Sequence, residues 1–562
     1  MLNNSTYVKQ KLVRFNSEAE ERDAERRAVR QKKQHLNLVT TSIEIDALSL
    51  IPEERAKELE MAAVNLINQD LIVAAFDFNK EGVEGELKKL EERGFKIRPV
   101  IVSKSSLRHA FSFYRFVSKK QEEITGRILI SGEKIKKFEK DLKTIQIIKK
   151  EVEAINFNKV TVSDFLEFVF GGALSSEASD IHFEPVREGG ILRYRIDGVL
   201  NEITKQVEKN FYKKAVSRIK LLAGLKMNVI DKTQDGRFTI SLENKDVEVR
   251  VAIAPSEFGE VAVLRVLDPK AISLGLAELG FFESDLKIIK EELKRPNGMI
   301  LNTGPTGSGK TTTLYAFLKE KVTKEIKVIT IEDPIEYHLE GIEQTQVNEE
   351  VNYTFNEGLK SALRQDPDVI LVGEIRDEDT AKTAVDSALT GHLVFSTLHT
   401  NDSAGAIPRL IDLGVKENII GSALNLVIAQ RLVRRICSSC KIAEKASLEF
   451  EEKVKKFLEK LTERVEKENF LKDLKMYKIK EGGCEKCNGT GYKGRVGLYE
   501  LFQVNNEVKE AIEKKNSVLE IKEIAKKQGI ITMQEDGILK VITGITSIEE
   551  VEAATGVVEE FT

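Results

Sequence analysis

The chain has 562 residues, of which 41% are hydrophobic and 32% charged, with a formal net charge of −4. That length exceeds one hydrophobic core and predicts about three to five domains. The slightly acidic balance argues against a direct nucleic-acid binder, and no apolar run approaches the roughly 18 residues that span a bilayer. No apolar signal-peptide core follows Met1-Leu2-Asn3-Asn4-Ser5, so a cytoplasmic protein is expected, meeting a membrane only through partners or a surface contact.

Residues 1–34 form a charged extension, helical in part. Residues 35–118 read as a first small α/β domain: Val64, Leu66 and Leu71 to Ala75 suggest a helix running into a buried strand, Gly82 to Arg93 an amphipathic helix, Lys96 to Val102 a strand. A charged helical linker is expected over 119–158. A second α/β domain over 159–270 carries clear strand alternation from Gly190 to an Asp197-Gly198 turn, a helix over Phe211 to Ala223, and further strands at Phe238 to Leu242 and Val247 to Ile253. Arg193, Arg195 and Arg237 sit on these strands. They are either surface residues or an arginine finger reaching a neighbouring subunit's site across a flexible connection near Asp268-Pro269.

Residues 271–433 hold the strongest signal. Gly304-Pro305-Thr306-Gly307-Ser308-Gly309-Lys310-Thr311-Thr312 follows the apolar strand Met299-Ile300-Leu301 and opens a helix. A triphosphate is a dense anion, and glycines let a loop aim several backbone N–H groups at it. Lys310 supplies charge to the β- and γ-phosphates of ATP, and the Thr311 hydroxyl is a ligand for Mg²⁺. Val328 begins a strand ending in Glu332-Asp333-Pro334-Ile335-Glu336, and Val369 one ending in Gly373-Glu374. Many P-loop ATPases carry Asp-Glu there; Gly373 takes the Asp position. Glu332 and Asp333 are therefore expected to compensate at the metal, with Glu374 activating water. His392 and His399 bracket another strand and either sense the γ-phosphate or serve structure.

The chain's only cysteines, Cys437, Cys440, Cys484 and Cys487, form two Cys-x-x-Cys pairs within 434–502. Tetrahedral Zn²⁺ is the expectation, with a helical insertion between the pairs; disulfides or core thiols are the alternative. Residues 503–562 read as helical, with Ile512, Leu519, Ile521 and Ile524 as core positions.

These segments together resemble the secretion ATPases of type IV pilus assembly and type II secretion, the GspE/PilB group. Ala178-Ser179-Asp180-Ile181-His182-Phe183-Glu184 and Gln234-Asp235-Gly236-Arg237 resemble its second N-terminal domain. Thr330 to Glu336 resembles its aspartate box, Leu363 to Asp377 its Walker B segment, Thr390 to Asp402 its histidine box, and the cysteines its zinc site. The resemblance implies a RecA-like core behind small α/β domains, the second PAS-like, followed by a zinc knuckle and a helical C-terminal region. It also implies a homo-hexameric ring at the inner face of the cytoplasmic membrane, working on an inner-membrane platform protein. Glu332 and Glu374 would serve Mg²⁺ and water, and arginines of the second domain would approach the γ-phosphate. A type IV pilus assembly motor is the leading expectation, a type II secretion motor the alternative, and a DNA translocase less favoured.

Overall fold

The structure is a computed structural model. It describes residues 19–41, 43–67, 70–92, 94–116, 126–130, 134, 137–138, 141–142, 144–157, 159–242, 246–267 and 274–559. Most of the charged extension, and the Asp268-Pro269 connection, lie outside the described residues.

The first domain is a four-stranded sheet ordered Gln34–His35, Lys96–Ile101, Asp70–Ala75, Met61–Ile67. The first three strands run parallel and the last antiparallel. The helix expected around Val64 and Leu66 is thus a strand. Met61, Ala62, Ala63 and Val64 are all buried, so no alternation marks the strand, and sheet pairing overrides the helix propensity of the alanines. Residues 19–30 are helical and dock here: the Arg27 guanidinium lies 3.8 Å from the Phe76 ring centroid.

Seven strands build the second domain, with Val162–Ser175 and Lys209–Leu222 packed against them in one core. Gly189–Ile196 turns into Val199–Glu208 through Asp197 and Gly198, with φ of 49° and 88°, as a two-residue hairpin requires. Within the stretch read as a helical linker, Arg127–Leu129 is a strand that pairs in parallel with Gln234–Ser241, and Ile145–Glu153 is a helix burying Ile145, Ile148 and Val152.

The core sheet is ordered Glu343–Gln346, Val328–Glu332, Val369–Val372, Leu393–Leu398, Gly298–Thr303, Leu424–Ile436, Tyr492–Gln503, and only the last strand is antiparallel. Met299 and Leu301 pack into one hydrophobic cluster and Ile300 into another, so both faces are covered and the strand reads as an unbroken apolar run. All the parallel strands end at one edge, and the P-loop lies there.

Tyr492–Gln503 shows that this sheet draws a strand from beyond the cysteines. Between the cysteine pairs lie helices Leu448–Lys460 and Lys467–Leu471, plus a short ribbon of Ile442–Lys445 with Lys475–Lys478. Four helices follow: Asn506–Glu513, Val518–Lys527, Met533–Ile542 and Ile548–Thr555. Ile512 and Ile521 are buried there, but Leu519 is 69% exposed. It sits two residues before Ile521, on the solvent side of its helix.

Candidate active site at the P-loop

Helix Lys310–Lys321 begins at Gly309 (φ 88°), so its N-terminal amides face the cradle. Close approach explains the glycines. A Cβ on Gly304 would stand 2.5 Å from the Gln430 carbonyl oxygen, and one on Gly309 2.8 Å from Gln430 Nε2. Lys310 Nζ folds into the cradle and donates to the Gly304 and Pro305 carbonyls at 2.8 and 3.1 Å. Burial lowers the Lys310 pKa below its ordinary value and the Glu374 charge opposes that shift. Pro305, Thr306, Gly307 and Thr311 are exposed, whereas Ser308 is buried and its hydroxyl has no hydrogen-bond partner among the described residues. A positive, amide-lined cradle of this shape fits a triphosphate.

Glu374 follows the end of Val369–Val372. Its carboxylate contacts the Arg376 guanidinium and lies 3.6 Å from His399 Nε2. Arg376 is also 3.6 Å from Asp333. The missing aspartate has a local reason. A Cβ on Gly373 would meet the Ile331 carbonyl at 3.2 Å and Phe355 at 3.3 Å, and Gly373 N–H donates to that same carbonyl at 2.8 Å.

Glu332 is turned inward. It is 4% exposed, accepts from Thr330 Oγ1 at 2.6 Å and Gln344 Nε2 at 3.0 Å, and also accepts the Tyr315 hydroxyl. Tyr315 lies four residues after Thr311, on the same face of that helix. Asp333 is the more open carboxylate of the two.

The two histidines separate. Leu393–Leu398 runs parallel to Gly298–Thr303, with Leu398 opposite Thr303 and Leu393 opposite Gly298. His399 therefore stands at the phosphate edge, while His392 stands at the other end, roughly 20 Å away. His392 Nδ1 is 3.0 Å from the Ser387 carbonyl, a helix-end contact. The γ-phosphate expectation fails for His392 on this geometry.

The arginines of the second domain are engaged locally. Arg193 lies 3.1 Å from Glu184, and Arg195 lies 3.4 Å from Asp180 and donates to the Gly198 carbonyl at 3.0 Å. Arg237 is largely exposed, 3.9 Å from Glu248. A neighbour that sequence reasoning missed, Arg250, reaches the core: it pairs with Glu336 at 2.9 Å and donates to the Ile335 carbonyl at 2.5 Å. Its only signal in the sequence is a charge within an alternating strand.

The four Sγ atoms of Cys437, Cys440, Cys484 and Cys487 lie within 4.8 Å of one another. Measured spacings are 3.8 Å for Cys437–Cys484 and for Cys440–Cys487, and 3.7 Å for Cys484–Cys487. Tetrahedral Zn²⁺ with bonds of about 2.3 Å requires sulfur spacings of about 3.8 Å. The thiols are free, not disulfide-bonded. Backbone N–H groups of Cys484 and Gly491 donate to Cys487 Sγ at 3.0 and 3.2 Å, as suits a thiolate. The donor set fits zinc and leaves no open position for catalysis.

No helix among the described residues is long and apolar enough to cross a membrane. The family described as "Type II/IV secretion system protein" matches residues 157–553. The type IV pilus assembly ATPase PilB of Myxococcus xanthus is 35% identical over 522 residues, 92% of this chain and 88% of that protein. The type II secretion system protein E of Aeromonas hydrophila is 44% identical over 385 residues, 68% of this chain and 73% of that protein. The Yersinia pseudotuberculosis ATPase DotB shares the fold at 19% identity and TM-score 0.53, covering 71% of this chain and 95% of that one. The chain belongs to the type II/IV secretion system protein family and is an ATP hydrolase of the pilus and secretion class.

Proposed function

We propose that this ATPase powers type IV pilus assembly as a homo-hexamer, acting on an inner-membrane platform protein from the cytoplasmic face. The observation that carries the hydrolytic reading is the convergence of Lys310, Glu374 and His399 at one sheet edge. Lys310 and the loop amides hold the β- and γ-phosphates. Thr311 and Asp333 would hold Mg²⁺, with Glu332 organising the surroundings through Tyr315 and Thr330. When bound there, the metal would supply charge neutralisation for the phosphates. Glu374 polarises the attacking water, and His399 and Arg376 fix its carboxylate. At least one of Arg193, Arg195 and Arg237 completes a neighbouring subunit's site. The zinc knuckle is structural.

One observation favours pilus assembly over type II secretion. The similarity to the pilus protein extends over 92% of the chain, into the N-terminal domains, whereas that to the secretion protein covers 68%. Deleting the gene in its host tests this. Surface pili should vanish while exoprotein secretion persists; the reverse pattern would assign the chain to type II secretion. Stimulation of purified enzyme by DNA would instead favour a translocase.

A further inference from the structure

Strand Leu424–Ile436 outruns its neighbour. Gly298–Thr303 ends with Thr303 opposite Ala429, so the next two residues, Gln430 and Arg431, lie beside the P-loop. Gln430 is buried and locks the strand there. Its Oε1 accepts from Asn302 Nδ2 at 2.8 Å and from Thr313 Oγ1 at 2.9 Å, and its Nε2 lies against Gly309.

Arg431 is thereby fixed at the start of the loop. Its Nη1 stands 3.3 Å from where a Cβ on Gly304 would be. Among the described residues the guanidinium donates only to two backbone carbonyls, Gln430 at 3.3 Å and Asn401 at 3.4 Å, both long contacts. Among the described residues no carboxylate lies within ion-pairing distance of it, and burial alone lowers its pKa. Its charge also works against that of Lys310. Two cations thus converge on one cradle; Glu374 acts on Lys310 only from beyond ion-pairing distance, and no carboxylate among the described residues contacts either, an arrangement that a bound anion relieves. Asn401 lies two residues past His399, which faces Glu374, so Arg431 borders the side where the terminal phosphate reacts.

We propose that Arg431 is a phosphate-contacting residue supplied by the chain's own core, donating to the terminal phosphate of the bound nucleoside triphosphate. This rests on the P-loop reading above and adds a cation that needs no other domain or subunit. Arginine suits the role because its guanidinium stays charged and fits phosphate oxygens in pairs.

The test compares Arg431→Gln, Arg431→Lys and Lys310→Ala in the full chain, by equilibrium binding of ATPγS and of ADP. Zinc content and melting temperature serve as folding controls. Arg431→Gln should weaken ATPγS binding about 10- to 100-fold and ADP binding less than about twofold. Arg431→Lys should recover part of the loss. Equal losses for both nucleotides, or no loss, would overturn the assignment to the terminal phosphate. A loss of ATPγS affinity that matches a fall in melting temperature and is not rescued by lysine would also overturn it. Should Lys310→Ala bind both nucleotides normally, the P-loop reading fails, which distinguishes that failure from failure of Arg431 alone.

Discussion

The cations at the phosphate edge of the core and those on the sheet of the second domain are held in opposite ways. Lys310 and Arg431 hydrogen-bond to backbone carbonyls, with no carboxylate paired to either among the described residues. Arg193 and Arg195 each lie against an acid on the same sheet, Glu184 and Asp180. An unpaired cation in a half-buried cradle is ready for an anion as it stands. A paired one must first exchange its partner. The nucleotide-binding half of the site is therefore built into the resting chain, while on the function proposed above the arginine half is held in reserve by its acids. Arg250 marks a contact between the two, since its pair with Glu336 ties the second domain to the acidic segment beside the P-loop.

Removing the preformed half gives the largest effect. Lys310→Ala should lower turnover at least about 10³-fold, because the cradle loses a cation aimed at the β- and γ-phosphates. Near-normal turnover in a steady-state phosphate-release assay would show that the cradle does not act in catalysis.

The reserved half is tested by mixing. A variant lacking the operative arginine among Arg193, Arg195 and Arg237 should lose about 10³-fold in turnover. If that arginine works across a subunit boundary, combining such subunits with Glu374→Gln subunits restores intact interfaces and part of the activity. Mixed rings, verified by native mass spectrometry, that stay as inactive as either parent would place the arginine's action within one chain.

Glu374→Gln should slow hydrolysis about 10²-fold and leave ATP binding largely intact, since glutamine keeps the shape and removes the charge that polarises water. The same exchange at Glu332 should act mainly on apparent Mg²⁺ affinity. Should Glu332→Gln be the variant that retains metal and loses turnover, the roles are reversed.

What the sequence reveals follows the length over which each feature is encoded. The P-loop is contiguous, because one loop must wrap one anion, so strand, glycines and Lys310 are all legible locally. The zinc site is legible because two tight turns each supply two thiols, although 43 residues separate Cys440 from Cys484. Features set by register are not. His392 and His399 look like a pair in sequence, yet a parallel strand sends its ends to opposite edges of the sheet. Arg431 matters because Thr303 stops opposite Ala429, and no local pattern announces where a neighbouring strand stops. The strand at Val64 is hidden for a related reason: burial on both faces removes the alternation that marks a strand.

The zinc site should affect activity less than the P-loop groups and stability more. Elemental analysis should find about one zinc per chain, and serine at Cys437, Cys440, Cys484 or Cys487 should lower the melting temperature. The effect on ATP affinity should be small, since the thiolates contact no part of the cradle. Protein purified without chelator and free of zinc would end this assignment.

The smallest effect probes the reserve itself. Arg193 is held by Glu184, a partly exposed pair of the kind that contributes about 0.2–1 kcal/mol. If that pair must break before Arg193 can serve a phosphate, its strength is part of the barrier. Glu184→Gln keeps the shape and removes the charge, so turnover should rise, by at most about fivefold at about 1.4 kcal/mol per tenfold. Stability should fall by no more than about 1 kcal/mol. Burial and the nearby Arg195 charge lower the pKa of His182, whose ring is 3.8 Å from Glu184, so at pH 8 the ring is neutral and does not complicate the reading. The comparison is sharpened by repeating the exchange at Asp180, which Arg195 shares with Arg265, and by an Arg265→Gln control for the second pair. A rise from one variant and not the other identifies which arginine is released for catalysis. A fall in turnover from both would mean that the pairs position the arginines for the reaction, and that the second domain, like the core, is already set.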